Sequence, residues 1–171
     1  MLKKLAIGVV IVVVLLVAAF LLVGVAFPVV EYTTTVEINK PRDLTWSVMR
    51  ERKDWIYGFK SYEQLSGTPD QPGSRSRVTV VRDGRETTFD SELLEIRPPE
   101  YASSRLTNDM LAHDAKVRLS ESGGKTTIVS DEHLEGRNLF WRSIFAIFKS
   151  QIVETSRKNF DGLKRAVEST Q

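Results

Sequence analysis

From Leu5 to Val30 the chain is apolar at almost every position and carries no charge. A helix needs about 20 such residues to cross the roughly 30 Å hydrocarbon core of a bilayer, so the run predicts a single transmembrane helix, with residues 1–30 as an N-terminal anchor. A cleaved signal peptide is the alternative reading, since Gly24 and Ala26 form a small-x-small pair ahead of Phe27. Signal cores run to about 7–15 residues, shorter than this stretch. Lys3 and Lys4 then place the N-terminus in the cytoplasm and the rest of the chain outside it, against a weaker opposing bias from Lys40 and Arg42.

Beyond the anchor the period drops to two. Thr33 to Ile38 alternates and is β-branched, predicting a strand. Pro41 suits the first turn of a short helix carrying Leu44, Trp46, Val48 and Met49, with Asn39 as its cap. Phe59 to Leu65 reads as a short strand and the stretch from Gly67 to Gly73, with Pro69 and Pro72, as a loop. Asp83-Gly84 between Ser76 to Val81 and Glu86 to Ile96 predicts a hairpin with a tight primed turn, closed off by Pro98-Pro99. Tyr101 to Thr107 adds a strand, and Ala115 to Leu119 and Thr126 to Ser130 flank Gly123-Gly124 as a further hairpin. About seven strands result, mostly joined by short antiparallel turns.

From Leu139 to Val167 the period becomes 3.6, with Trp141, Phe145, Phe148, Ile152, Leu163 and Val167 on one face of a long C-terminal helix. Asn138 is its expected cap, and Glu154 with Lys158 and Lys164 with Glu168 form i,i+4 pairs. Gly162 costs about 1 kcal/mol relative to alanine, so it is either tolerated or placed where the helix approaches another element closely. Phe140, Ile144 and Ile147 widen the apolar face past the ~100° stripe that a sheet would cover. Three things can cover that surplus: a deep core, a cavity, or the bilayer, where Trp141 beside Arg142 suits the interface.

Residues 31–171 have the commonest size of a single domain. The formal charge of +2 arises from the two lysines ahead of the anchor. The folded part is therefore near neutral, and a nucleic-acid partner is not supported. The chain has no cysteine, which excludes disulfides and thiolate metal sites.

The stretches Val36 to Trp55, Pro72 to Val80, Phe89 to Ser104 and Gly123 to Gly136, with the closing Leu-Lys-Arg-Ala-Val-Glu-Ser, follow one order: strand, short helix, antiparallel meander, final helix. In this order the chain resembles the START-like (SRPBCC) helix-grip superfamily, in its polyketide cyclase/dehydrase-type branch. The resemblance implies an α+β helix-grip fold: a curved antiparallel sheet around the C-terminal helix, with an elongated apolar cavity between them for a lipid, sterol, polyketide or similar molecule. Residues then expected to line that cavity are Trp46, Trp55, Phe59, Phe89, Tyr101, Arg105, Val117, Trp141, Phe145, Phe148 and Ile152. One departure is that Ile56, Tyr57 and Gly58 follow Trp55 where the family usually has a proline.

No catalytic motif is found. Gly124-Lys125-Thr126 looks like the end of a phosphate loop, but Leu119 stands where its first glycine belongs. His113 and His133 are the only histidines and share no metal-ligand spacing, so no metal or cofactor is expected. Asp131, Glu132 and His133 are sequential, so Glu132 points opposite to the other two; a solvated strand end is the expected setting. Members of the superfamily that catalyse cyclisation use inward polar side chains of varied identity, for which Arg105, Asp90, Glu132 and Tyr101 are candidates. The leading expectation is a membrane-anchored binding protein for a hydrophobic small molecule or lipid, in contact with the bilayer through residues 5–30. A cyclase-like enzyme and a ligand-free interaction module are the alternatives.

Overall fold

The computed structural model describes residues 2–170. The apolar leader is helix α1 (Leu2–Ala26), and only Phe27 and Pro28 separate it from strand β1 (Val29–Ile38). The strand thus begins earlier than Thr33. Val29 and Val30 belong to the apolar run, but Val30 is spent on the core and not on lipid.

Helix α2 (Arg42–Glu51) follows, then strands β2 (Phe59–Ser66), β3 (Arg75–Arg82), β4 (Arg85–Arg97), β5 (Tyr101–Thr107), β6 (Leu111–Ser122) and β7 (Lys125–Gly136). All seven form one antiparallel sheet in the order β1-β7-β6-β5-β4-β3-β2, which pairs the first strand of the chain with the last and leaves β1 and β2 as edges. Asp83 and Gly84 both take positive φ, 49° and 72°, as the primed turn requires. Register shifts within β2 and between Leu93 and Glu95 of β4 bend the sheet.

The expected C-terminal helix is two helices, α3 (Leu139–Ile147) and α4 (Lys149–Glu168). Phe148 lies outside helical geometry (φ −96°, ψ 23°): its N–H closes α3 on Ile144, and its carbonyl accepts the first bonds of α4 from Gln151 and Ile152. The break lets α4 lie along β1 while α3 turns against α1. Asn138 caps α3 as expected, its Oδ1 accepting from the Trp141 N–H at 3.1 Å. Asn39 does not cap α2; Pro41 occupies that place, and the Asn39 backbone and side chain both donate to Glu168.

Lys164 and Glu168 pair at 3.9 Å. Lys158 instead sits over the Tyr57 ring, 4.9 Å from its centre, and not on Glu154.

The core falls into two apolar groups on the inner face of the sheet. One joins Ile38, Leu119 and Ile128 of the sheet to Val48 and Met49 of α2 and to Phe160, Leu163 and Val167 of α4. Burying each such apolar side chain stabilises the fold by about 1.5–3 kcal/mol. The second, smaller group is Val30, Leu111 and Leu134, at the end of the sheet nearest α3.

Candidate functional site: the inner face of the sheet

Strand alternation determines what the interior contains. In β1 the inward positions are Val30, Tyr32, Thr34, Val36 and Ile38, and in β7 they are Thr126, Ile128, Ser130, Glu132 and Leu134. Register places Tyr32 opposite Glu132 and Thr34 opposite Ser130. The apolar pattern is therefore interrupted at mid-strand by polar side chains. His113 of β6 and Ser156 of α4 complete a polar belt between the two apolar groups.

Ser130 donates its hydroxyl to Glu132 Oε1 at 2.6 Å, and Thr34 and Ser156 share a hydrogen bond at 3.0 Å. Glu132 Oε2 stands 2.7 Å from His113 Nε2. That contact is close enough for an ion pair but is not an aligned hydrogen bond, so both atoms are shut off from solvent without a hydrogen-bond partner in the protein. The Tyr32 ring stacks over His113 at 6.5 Å. Burial pushes the Tyr32 hydroxyl well above its ordinary pKa, the Glu132 carboxylate adds to this, and the Ser156 hydroxyl opposes it. A carboxylate in such a place is tolerated because a cation or hydrogen-bond donors face it. Glu132 is only 7% exposed, so the solvated strand end expected for it is wrong. Asp131 and His133, on the opposite face, do meet solvent, bonded to Arg118 and Glu31 respectively.

The residues expected to line a cavity divide into three sets. Trp46, Trp55 and Val117 pack on the larger apolar group, and Phe89, Phe145 and Ile152 on the smaller. Trp141 stacks on Phe145 at 5.7 Å, Phe148 is half-exposed at the α3–α4 break, and Phe59 is half-buried at the start of β2.

Tyr101 and Arg105 are corrections. Tyr101 pairs with Arg118 in register and carries the Arg97 guanidinium 4.5 Å from its ring, on the outer face. Arg105, half-exposed, forms a two-pronged pair with Asp114 at 2.6 and 2.7 Å, which holds that carboxyl below its usual range. Asp90 is likewise engaged outside by Arg77. Among the four catalytic candidates only Glu132 faces inward. His113 is not among the candidates the sequence offers for this face, because a lone histidine on an alternating strand has no signal of its own; its parity with Leu111 and Leu119 is the available clue.

Two clefts, of about 660 and 420 Å³, run along α4. The first lies between α4 and the α2–β2 connection from Arg52 to Gly58, the second between α4 and the β3–β4 turn at Arg82 and Asp83. Of the expected cavity residues only Trp55 lines either one. Trp46, Val117, Phe89, Phe145 and Ile152 instead pack on the two core groups.

No protein-family model matches the chain, and no curated protein sequence matches it. Solved structures do. Zhui aromatase/cyclase from Streptomyces sp. R1128 superposes with a TM-score of 0.69 at 16% identity, covering 82% of this chain and 94% of that one. Ara h 8.0201 gives 0.66 at 15% identity, with coverages of 83% and 99%. The di-domain aromatase/cyclase BexL gives 0.62 at 17%, matching 84% of this chain to 52% of that protein. These likenesses define the fold, a helix grip in which a curved antiparallel sheet packs on a long C-terminal helix. In this chain the fold is preceded by an apolar helix that is long enough to cross a membrane and is docked on α3.

Proposed function

We propose that the chain is a single-pass membrane protein, with residues 1–30 as anchor and residues 31–171 as a helix-grip domain that binds a hydrophobic small molecule or lipid against the inner face of the sheet. The observation that carries this is the polar belt. Glu132 Oε2 and His113 Nε2 are buried, lack aligned partners and lie between two apolar groups. An amphiphile whose hydroxyl or carbonyl met those atoms, with its chain displacing the half-buried Phe89, Phe145 and Ile152, would satisfy both kinds of surface. The fold supports the reading, and the two-residue link to α1 keeps the domain within roughly 10 Å of the bilayer. The ligand is therefore one that partitions into the adjacent leaflet.

Native mass spectrometry of the full chain released from mild detergent should show a co-purifying lipid, and a fluorescent fatty acid should bind saturably. Glu132→Gln should weaken that binding several-fold. Absence of both bound lipid and saturable uptake overturns the reading.

The inward acid–imidazole contact also supports a second reading, in which Glu132 and His113 move protons on a folded poly-β-carbonyl chain, as suits the aromatase/cyclases that share the fold. Conversion of a synthetic poly-β-carbonyl thioester by the wild type and not by Glu132→Gln would favour it. Equal, uncatalysed product profiles would exclude it.

A further inference from the structure

Helix α3 is in the wrong place for a simple core element. It packs against the last turns of α1: the Gly24 N–H donates to Ser143 Oγ at 3.0 Å, and the Phe20 and Phe140 rings meet at 5.6 Å. A Cβ at Gly24 would stand 2.6 Å from the Leu139 carbonyl oxygen, so only glycine lets the helices come this close.

The depth of this contact follows from α1 itself. Its apolar segment Lys3–Ala26, of 24 residues, is ~36 Å long against ~30 Å of hydrocarbon. Centred, it leaves about 3 Å projecting on each side. Phe20 lies about 9 Å before the helix end, hence roughly 6 Å beneath the surface of the hydrocarbon. Interfacial helices bury their apolar faces to about 5–10 Å, the same depth.

The composition of α3 fits that level. It contains no acid, and its one charge, Arg142, is bound by Glu135 and by the Gly136 carbonyl. Phe140 and Ile147 are 50% and 51% exposed, and Phe148 at the cap is 47% exposed. Arg137 ahead of the helix and Lys149 behind it are exposed and basic, placed to meet phosphate headgroups.

We infer that α3 is an interfacial helix: Phe140, Ile147 and Phe148 insert into the leaflet that α1 enters with its C-terminal end, and the domain stands on the bilayer on this helix with the β6–β7 turn pointing away. The inference rests on α1 spanning the membrane, as proposed above.

The chain has no cysteine, so single-cysteine variants of the full protein carry one label each. Val14→Cys, Phe140→Cys, Ile147→Cys and Lys125→Cys, labelled with an environment-sensitive fluorophore, are reconstituted into nanodiscs of phosphatidylcholine and phosphatidylglycerol with brominated acyl chains. Val14 should be quenched most, Phe140 and Ile147 by at least twofold with bromines near the headgroup, and Lys125 at the far turn not at all. Quenching at Val14 with Phe140 and Ile147 as bright as Lys125 overturns this inference and leaves the anchor standing. No quenching at Val14 overturns both.

Discussion

Replacing Gly162 by alanine sets two energies of opposite sign against each other. Inside α4 the substitution gains about 1 kcal/mol of helix propensity. Yet the new Cβ would stand 2.3 Å from the Trp55 carbonyl oxygen and 3.3 Å from its carbon, so a gap of about 1 Å must open against backbone and not against a flexible side chain. The α2–β2 connection is not free to yield: the Tyr57 N–H is bonded to Asn159 Oδ1 at 2.9 Å, one turn before Gly162, and the Phe59 N–H to the Ile56 carbonyl at 2.9 Å. Overpacking costs about 1–3 kcal/mol and loss of the Tyr57 bond about 1 kcal/mol more. The net is a destabilisation of about 1–3 kcal/mol, or roughly 2–12 °C in Tm for a chain of this size. Thermal melts of the full chain in detergent by circular dichroism, with the exposed neighbour Asp161→Ala as a control within about 0.5 kcal/mol, measure it. A rise in Tm for Gly162→Ala would refute the close packing of α4 on Trp55.

Gly24→Leu drives a side chain into Leu139 and Ser143 and should release α3; amide hydrogens of residues 139–147 should exchange at least tenfold faster while β6 and β7 keep their protection, and unchanged exchange in α3 would contradict the docking. Asp90, Asp114 and Asp131 are each held below the usual carboxylate pKa of 3.8 first of all by an arginine hydrogen bond, so their contribution is complete above 3.8 and is lost as pH falls through the lowered values. Arg105→Gln should therefore flatten the acid limb of a urea stability profile between pH 5 and 2, and an unaltered limb would refute the pairing with Asp114. Tyr32 has a raised pKa, so its contribution is complete below 10.0 and is lost as pH rises beyond it, with a slope of up to about 1.4 kcal/mol per pH unit. Tyr32→Phe should remove that slope between pH 10 and 11.

Alternation made most of the sheet legible. The strand expected over Tyr101 to Thr107 has those bounds in the structure, Asp83-Gly84 forms the expected turn with positive φ at both residues, and β6 and β7 differ only in running longer than their apolar cores suggest. The start of β1 was not legible, because hydropathy is the same for a valine facing lipid and one facing a core. The break at Phe148 carries no glycine or proline to announce it. What the sequence did contain was its consequence, an apolar face on residues 140–148 too wide for one partner. Parity separates Glu132 from Asp131 and His133, and the apolar, buried Ile128 and Leu134 of the same parity mark the Glu132 side of β7 as the interior.

The docking of α1 also bears on whether the leader is retained. Cleavage behind Ala26 would remove Phe20 from Phe140 and the Gly24 N–H from Ser143, whose side chain is fully buried. Ser143 could still bond the Leu139 carbonyl within its own helix at 3.0 Å, so the polar loss is modest. The apolar loss is not, since the Phe140 ring would lose Phe20 and join Ile147 on the exposed apolar face of α3. Such a patch is unfavourable in water and favourable in a bilayer. At its other side α3 is pressed onto the end of β7, where a Cβ at Gly136 would stand 2.4 Å from the Arg142 nitrogen. Held between two glycines, α3 ties the C-terminal end of α1 to the end of β7, the strand that carries Glu132.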